Sequence, residues 1–156
     1  MSKKPIVKRT NPDAIKNLLK NVARMDGSKV EVGFVDDEIH KEAGMPVKEL
    51  AAIHEFGSKA ARIPARPFIE PTMHDNRFKY RRMMFNDAKS LSRGRKKPEV
   101  ALAQIGEMAV DDMKLKILDG NFVPLKIETS LLKGHEQPLI DTDQMYDAIS
   151  YKVTKK

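Results

Sequence analysis

Lys29-Val30-Glu31-Val32-Gly33-Phe34-Val35 is the stretch on which the fold class turns. Val30, Val32 and Phe34 fall on one face of an extended chain and Glu31 and Gly33 on the other, the period of two that marks a half-buried strand. Immediately upstream the period is different. Asn11-Pro12-Asp13 supplies an N-cap, a proline for the first helical position and an acid in the first turn. Ile15, Leu18, Leu19, Val22 and Met25 then recur at helical spacing until Asp26-Gly27 ends the run, which predicts a helix over Pro12–Met25.

Downstream of the strand, residues 36–44 are charged and end in glycine, an exposed loop or hairpin end. Pro46 opens a short helix from Val47 to about His54, with Leu50, Ala51, Ile53 and His54 inward. Gly57 is placed to close it in left-handed geometry, so it stops near Glu55-Phe56. The two prolines of Arg62-Ile63-Pro64-Ala65-Arg66-Pro67-Phe68 make an extended segment that stays out of central ladders. A long, partly buried helix should cover residues 70–90, with Phe78, Met84, Phe85, Ala88 and Leu91 as a rough apolar stripe among cations. Residues 90–97, around Gly94, read as a flexible basic connector.

Pro98 begins another helix, with Leu102, Ile105, Ala109, Met113 and Ile117 inward and Asp119-Gly120 ending it. Residues 121–137 have no sustained period and should be irregular. Asp141-Thr142 supplies a cap for a short helical turn, and Ile149, Tyr151 and Val153 alternate as a closing strand. The expected class is α+β: a small antiparallel sheet packed by several helices, with an extended proline-rich arm and long loops. A chain of 156 residues has one domain as its default, taken as 11–153 between basic tails 1–10 and 154–156.

Composition agrees with a packed core. Leu, Ile, Val and Phe make up about 24% of the chain, above the level of disordered sequences. No apolar run approaches the roughly 20 residues that span a bilayer, so no membrane role is expected. The start of the chain lacks a signal peptide's apolar stretch and there is no cysteine, which suggests an intracellular beginning without thiol chemistry. The 29 Lys and Arg exceed the 22 Asp and Glu by 7, and the excess is local. Between residues 76 and 97 stand nine cations (Arg77, Lys79, Arg81, Arg82, Lys89, Arg93, Arg95, Lys96, Lys97) and one acid, Asp87. Such a cluster can hold phosphates, face an acidic protein, or be a solvated helix face, and composition does not choose.

Chemistry is sparse by contrast. His40, His54, His74 and His135 are not spaced to share a metal, and Ser58 stands where a zincin helix beginning at His54-Glu55 needs its second histidine. There is no glycine-rich phosphate loop and no serine nucleophile elbow. Asp36-Asp37 and Asp111-Asp112 look solvent-facing, and adjacent residues do not form a dyad. Neither an enzyme nor a cofactor is expected.

Three phrases, Ala51-Ala52-Ile53-His54-Glu55-Phe56-Gly57, Ile63-Pro64-Ala65-Arg66-Pro67-Phe68-Ile69 and Pro138-Leu139-Ile140-Asp141-Thr142, resemble in order the neck and tail-completion proteins of long-tailed bacteriophages. The resemblance runs from about Lys29 to Val153 and takes in Gly33-Phe34, the helix around Ile105, Pro124-Leu125 and Lys133-Gly134. It departs at Asp143, where the family usually has glycine; Asp tolerates left-handed geometry better than most residues.

The resemblance implies a structural, non-enzymatic virion protein, assembled in the host cytoplasm into a neck ring between head connector and tail. Its partners would be further copies of itself, the head-closure protein, tail terminator or tail tube proteins, and duplex DNA in transit. Expected interface residues are His54, Glu55, Phe56, Arg66, Pro67, Phe68, Asp141 and Thr142. Phe68 would be the apolar anchor and Arg66 the polar anchor of an arm that prolines preorder; the plainer alternative packs Phe68 into its own core. Arg77, Arg81, Arg82, Arg93, Arg95, Lys96 and Lys97 would meet phosphates or an acidic partner. Subunits about 39 Å across leave a hole of about 39 Å in a hexamer and about 110 Å in a dodecamer, so six suits a DNA conduit and twelve an outer collar. The competing class is a small basic nucleic-acid-binding module.

Overall fold

A computed structural model describes residues 12–25, 27–134, 138–139 and 143–155. The basic tail 1–10, the Asn11 cap, Asp26, His135, the Asp141-Thr142 pair and Lys156 lie outside the described residues. In chain order the elements are α1 (Pro12–Met25), β1 (Lys29–Gly33), α2 (Val47–Phe56), α3 (Ile69–Ser92), α4 (Pro98–Asp119), α5 (Ile127–Lys133), α6 (Gln144–Asp147) and β2 (Ser150–Thr154). The class is α+β, as the two sequence periods predict.

The sheet joins opposite ends of the chain. β1 pairs with β2 antiparallel, Lys29 opposite Thr154 and Gly33 opposite Ser150. β1 ends at Gly33, two residues before the alternation in the sequence runs out; at φ 135° Gly33 turns the chain where a side chain would be strained. Helix α4 lies across the two strands and also packs against α3. Its approach to the sheet is close because position 106 is glycine: a β-carbon there would come within 2.6 Å of the Tyr151 ring. Ala101, Ile105, Ala109, Met113 and Ile117 are buried along α4, the inward set that helical spacing predicts, with Leu102 at its edge. Val47, Ala51, Phe68, Met113, Ile117, Leu139, Met145 and Ile149 form the core, and Val32 and Phe34 close its side.

Four expectations need correction. The buried side of α3 is not the Phe78, Met84, Phe85, Ala88 stripe: Phe78, Met84 and Phe85 are 65%, 53% and 67% exposed and Ala88 is exposed too, and only Leu91 of that set is buried. Thr72, Asp87 and Leu91 are buried instead, with Asn76, Tyr80 and Met83 half-buried between them. The physical reason is that the inner positions go to polar side chains with hydrogen-bond partners, Thr72 on Phe68 O, Asn76 on Thr72 O, Tyr80 on Asp112 of α4 and Asp87 on Lys96, which apolar counting cannot register. Residues 121–137 are not wholly irregular, because α5 forms within them and Gly134 closes it in left-handed geometry, φ 73° and ψ 8°. Residues 93–97 form an ordered turn, the Gly94 N–H donating to Leu91 O and the Arg95 N–H to Ser90 O. Asp112 does not face solvent: it accepts from Lys79 Nζ and from the Tyr80 hydroxyl, both on α3.

Candidate functional site

The phrase around residue 55 builds one corner of the molecule. Glu55, in the last turn of α2, is 6% exposed. Its Oε2 accepts the backbone N–H groups of Phe68 and Ile69 at 2.8 and 2.9 Å, and its Oε1 accepts that of Glu70 at 2.8 Å. These are the donors that the start of α3 leaves without intrahelical partners, and Pro71, the next residue, has no N–H to satisfy. A carboxylate from another helix thus caps α3 completely, and its charge lies at the positive end of the helix dipole. The Thr72 hydroxyl completes the turn by donating to Phe68 O at 2.6 Å.

Between the cap and the helix it caps, the chain must double back sharply. Gly57 takes φ 74° with ψ 171°, an extended left-side conformation open to glycine rather than the left-handed helical one the sequence suggests. A β-carbon there would lie 2.8 Å from Ala65 N. Ser58 and Ile63 exchange backbone hydrogen bonds across the turn, and the Arg66 N–H donates to His54 O at 2.7 Å. Arg62, with φ 55°, belongs to this turn and is not extended.

The expected anchors of the arm serve its own protomer. Phe68 is 0% exposed and meets Phe34 edge to face, ring centroids 6.2 Å apart. Arg66 is 6% exposed; its Nε donates to Val123 O at 2.8 Å and an Nη to Pro124 O at 3.2 Å. Burial pulls its pKa below the ordinary guanidinium value. Glu55, Arg66 and Phe68 are therefore corrected from neighbour-contacting residues to an internal clasp joining α2, the arm, α3 and the 121–126 loop. Of the other expected interface residues, His54 is half-buried, Pro67 is exposed and Phe56 is 78% exposed. Asp141 and Thr142 lie outside the described residues. On the loop that Arg66 holds Val123 is 50% exposed, and on α5, which follows it, Ile127 and Leu131 are 80% and 78% exposed.

The basic window divides in two. Arg77, Arg81, Arg82, Arg93, Arg95 and Lys97 are exposed. Lys96 is not available to a partner, because its ammonium donates to Asp87 Oδ1 at 2.5 Å and to Gln104, with 18% of its side chain exposed. It ties the end of α3 to α4. Lys79 is likewise engaged, on Asp112 at 2.7 Å. Burial, reinforced by the hydrogen bond to Asp112, pushes the Tyr80 hydroxyl well above the usual phenol range.

Sequence reasoning missed the capping role of Glu55 and the outward aspect of Phe78 and Phe85. No local signal marks the first, since cap and helix are 13 to 15 residues apart. The second was legible only as the placing of both rings among Arg81, Arg82 and Lys89. Among the described residues no three His, Cys, Asp or Glu side chains converge as a metal site, and no helix is long and apolar enough to cross a membrane. Comparison with protein families, curated proteins and solved structures yields no match to this chain.

Proposed function

We propose that the chain is a structural virion protein of a tailed phage, part of a neck or tail-completion ring through which DNA passes. Its partners are further copies of itself, preferably six and alternatively twelve, the head-closure protein and the terminator or tube of the tail. The reading is supported by the three phrases and by the clasp that the first two build. One observation carries it: Phe56 stands 78% exposed beside buried Glu55, on backbone that the clasp holds fixed. An exposed aromatic on a preordered corner loses little conformational entropy when a neighbour covers it. Leu131 and Ile127, on α5 just after the loop fastened through Arg66, extend the apolar surface available for such contacts.

Light scattering on the full chain at two concentrations and two salt levels tests the proposal. The expected mass is that of six or twelve copies, falling to one copy in a Phe56→Ser, Leu131→Ser variant that keeps the wild-type circular dichroism. A wild-type chain that stays monomeric and binds duplex DNA with steep salt dependence would overturn it in favour of the nucleic-acid-binding module.

A further inference from the structure

The outer face of α3 is cationic and aromatic, and Phe78 and Phe85 on it are not covered by any described element. Phe78 and Phe85 are seven residues apart, so they share one stripe about 10.5 Å apart along the helix axis. Arg81 and Arg82 fall between them, Lys89 one turn further on, and both rings are about two thirds exposed. The Arg77 guanidinium lies over the Phe78 ring, 4.8 Å from its centroid, and Lys89 Nζ lies 5.7 Å from that of Phe85. The single acid between residues 76 and 97, Asp87, is buried on the opposite side and engaged by Lys96. No exposed carboxylate in that stretch offsets these cations, and Arg81 and Arg82 form no ion pair among the described residues.

We propose that this face docks an acidic amphipathic protein segment, whose apolar side covers Phe78 and Phe85 while its carboxylates meet Arg81, Arg82 and Lys89. The inference is independent of the virion reading. Charge and geometry select this occupant over three others. A second copy of the same face would set cation against cation, at a cost that complementary charge avoids. A duplex backbone would meet the cations but leave both phenyl rings in water. Single-stranded bases need open ring faces lining a groove; here the surface is a convex helix, and a cation of the chain itself already covers a face of each ring. An acidic amphipathic helix answers both demands, burying two apolar anchors two turns apart and neutralising the rim around them.

The experiment is selection of random peptides of about 16 residues, displayed on a surface, against the full chain, with counter-selection against a Phe78→Ser, Phe85→Ser variant. The enriched peptides should carry net negative charge with apolar residues at helical spacing. Their affinity should drop at least about tenfold for that variant and for Arg81→Glu, Arg82→Glu. All four positions are exposed, so both variants should keep the wild-type circular dichroism, and the charge reversal leaves the rings in place as a second arm. Enrichment of neutral or basic peptides, or of none that distinguish the variants, overturns the proposal. So does a 20-nucleotide single strand or 20-bp duplex whose binding depends on both phenylalanines, and so does self-association that the Phe78→Ser, Phe85→Ser variant abolishes.

Discussion

A carboxylate at position 55 satisfies three backbone donors at the start of a helix that begins at Ile69, and each of those hydrogen bonds is charge-assisted. Glu55→Gln keeps the side-chain shape but leaves one carbonyl oxygen for three N–H groups and removes the charge from the helix dipole. The expected loss is about 2 kcal/mol in urea unfolding; a loss below about 0.5 would show that water replaces the cap. The same geometry changes what a test at Arg66 or Phe68 reports. Phe68→Ala opens a cavity in the core and should cost about 3–5 kcal/mol, so failed assembly in that variant would reflect unfolding rather than a lost contact. Phe56 is the residue on which assembly can be tested separately from stability. That the phrase around Glu55 and Arg66 matters was legible in the sequence. That its polar members act inward was not, because their partners are 13 to 58 residues away.

At the scale of elements, α3 and α4 are locked by polar pairs as well as by apolar packing. Asp87 is 8% exposed and its Oδ2 has no hydrogen-bond partner, so the Lys96 ammonium on Oδ1 is what compensates the charge. Lys96→Met leaves that carboxylate buried and unpaired, with an expected loss of about 3 kcal/mol or more, whereas the double change Asp87→Leu, Lys96→Met should recover most of it. A single variant with unchanged stability would refute the lock. This pair explains why the helix was placed but its face misjudged. The spacing of apolar residues assigns Phe78 and Phe85 to the core, yet the interior positions are taken by Thr72, Asn76, Tyr80 and Asp87, each with a hydrogen-bond partner. Helix α4 behaves oppositely: its fully buried residues are all apolar, and its period, with Pro98 and Asp119-Gly120 at the ends, located it.

For the whole molecule, the decisive contact lies between α4 and the sheet that joins residues 29–33 to 150–154. Gly106→Ala tests how tightly that contact is set. Alanine in a helix interior gains about 1 kcal/mol over glycine, while a β-carbon 2.6 Å from the base of the Tyr151 ring costs about 1–3 kcal/mol of overpacking. The expected balance is a modest destabilisation that turns into stabilisation when Tyr151→Ala is also present, measured as a double-mutant cycle in urea. Equal effects in both backgrounds would show that the helix simply shifts away.

The amino-acid order alone determined the elements with a strong local signature: α1 and α4 to the residue, α2 to its turn at Gly57, and one strand after α1 with a second closing the chain. It also determined the left-handed tolerance of Asp143, which the structure uses at φ 57°. Periodicity, prolines and glycines act over a few residues, so one sequence suffices to read them. Tertiary structure decided that Glu55 caps α3, that Phe68 and Arg66 turn inward, that Lys96 is spent on Asp87, and that two phenylalanines face water. Those outcomes depend on which distant donors, acceptors and apolar surfaces the packed helices bring together, and that pairing is set by the fold rather than by any local run of residues.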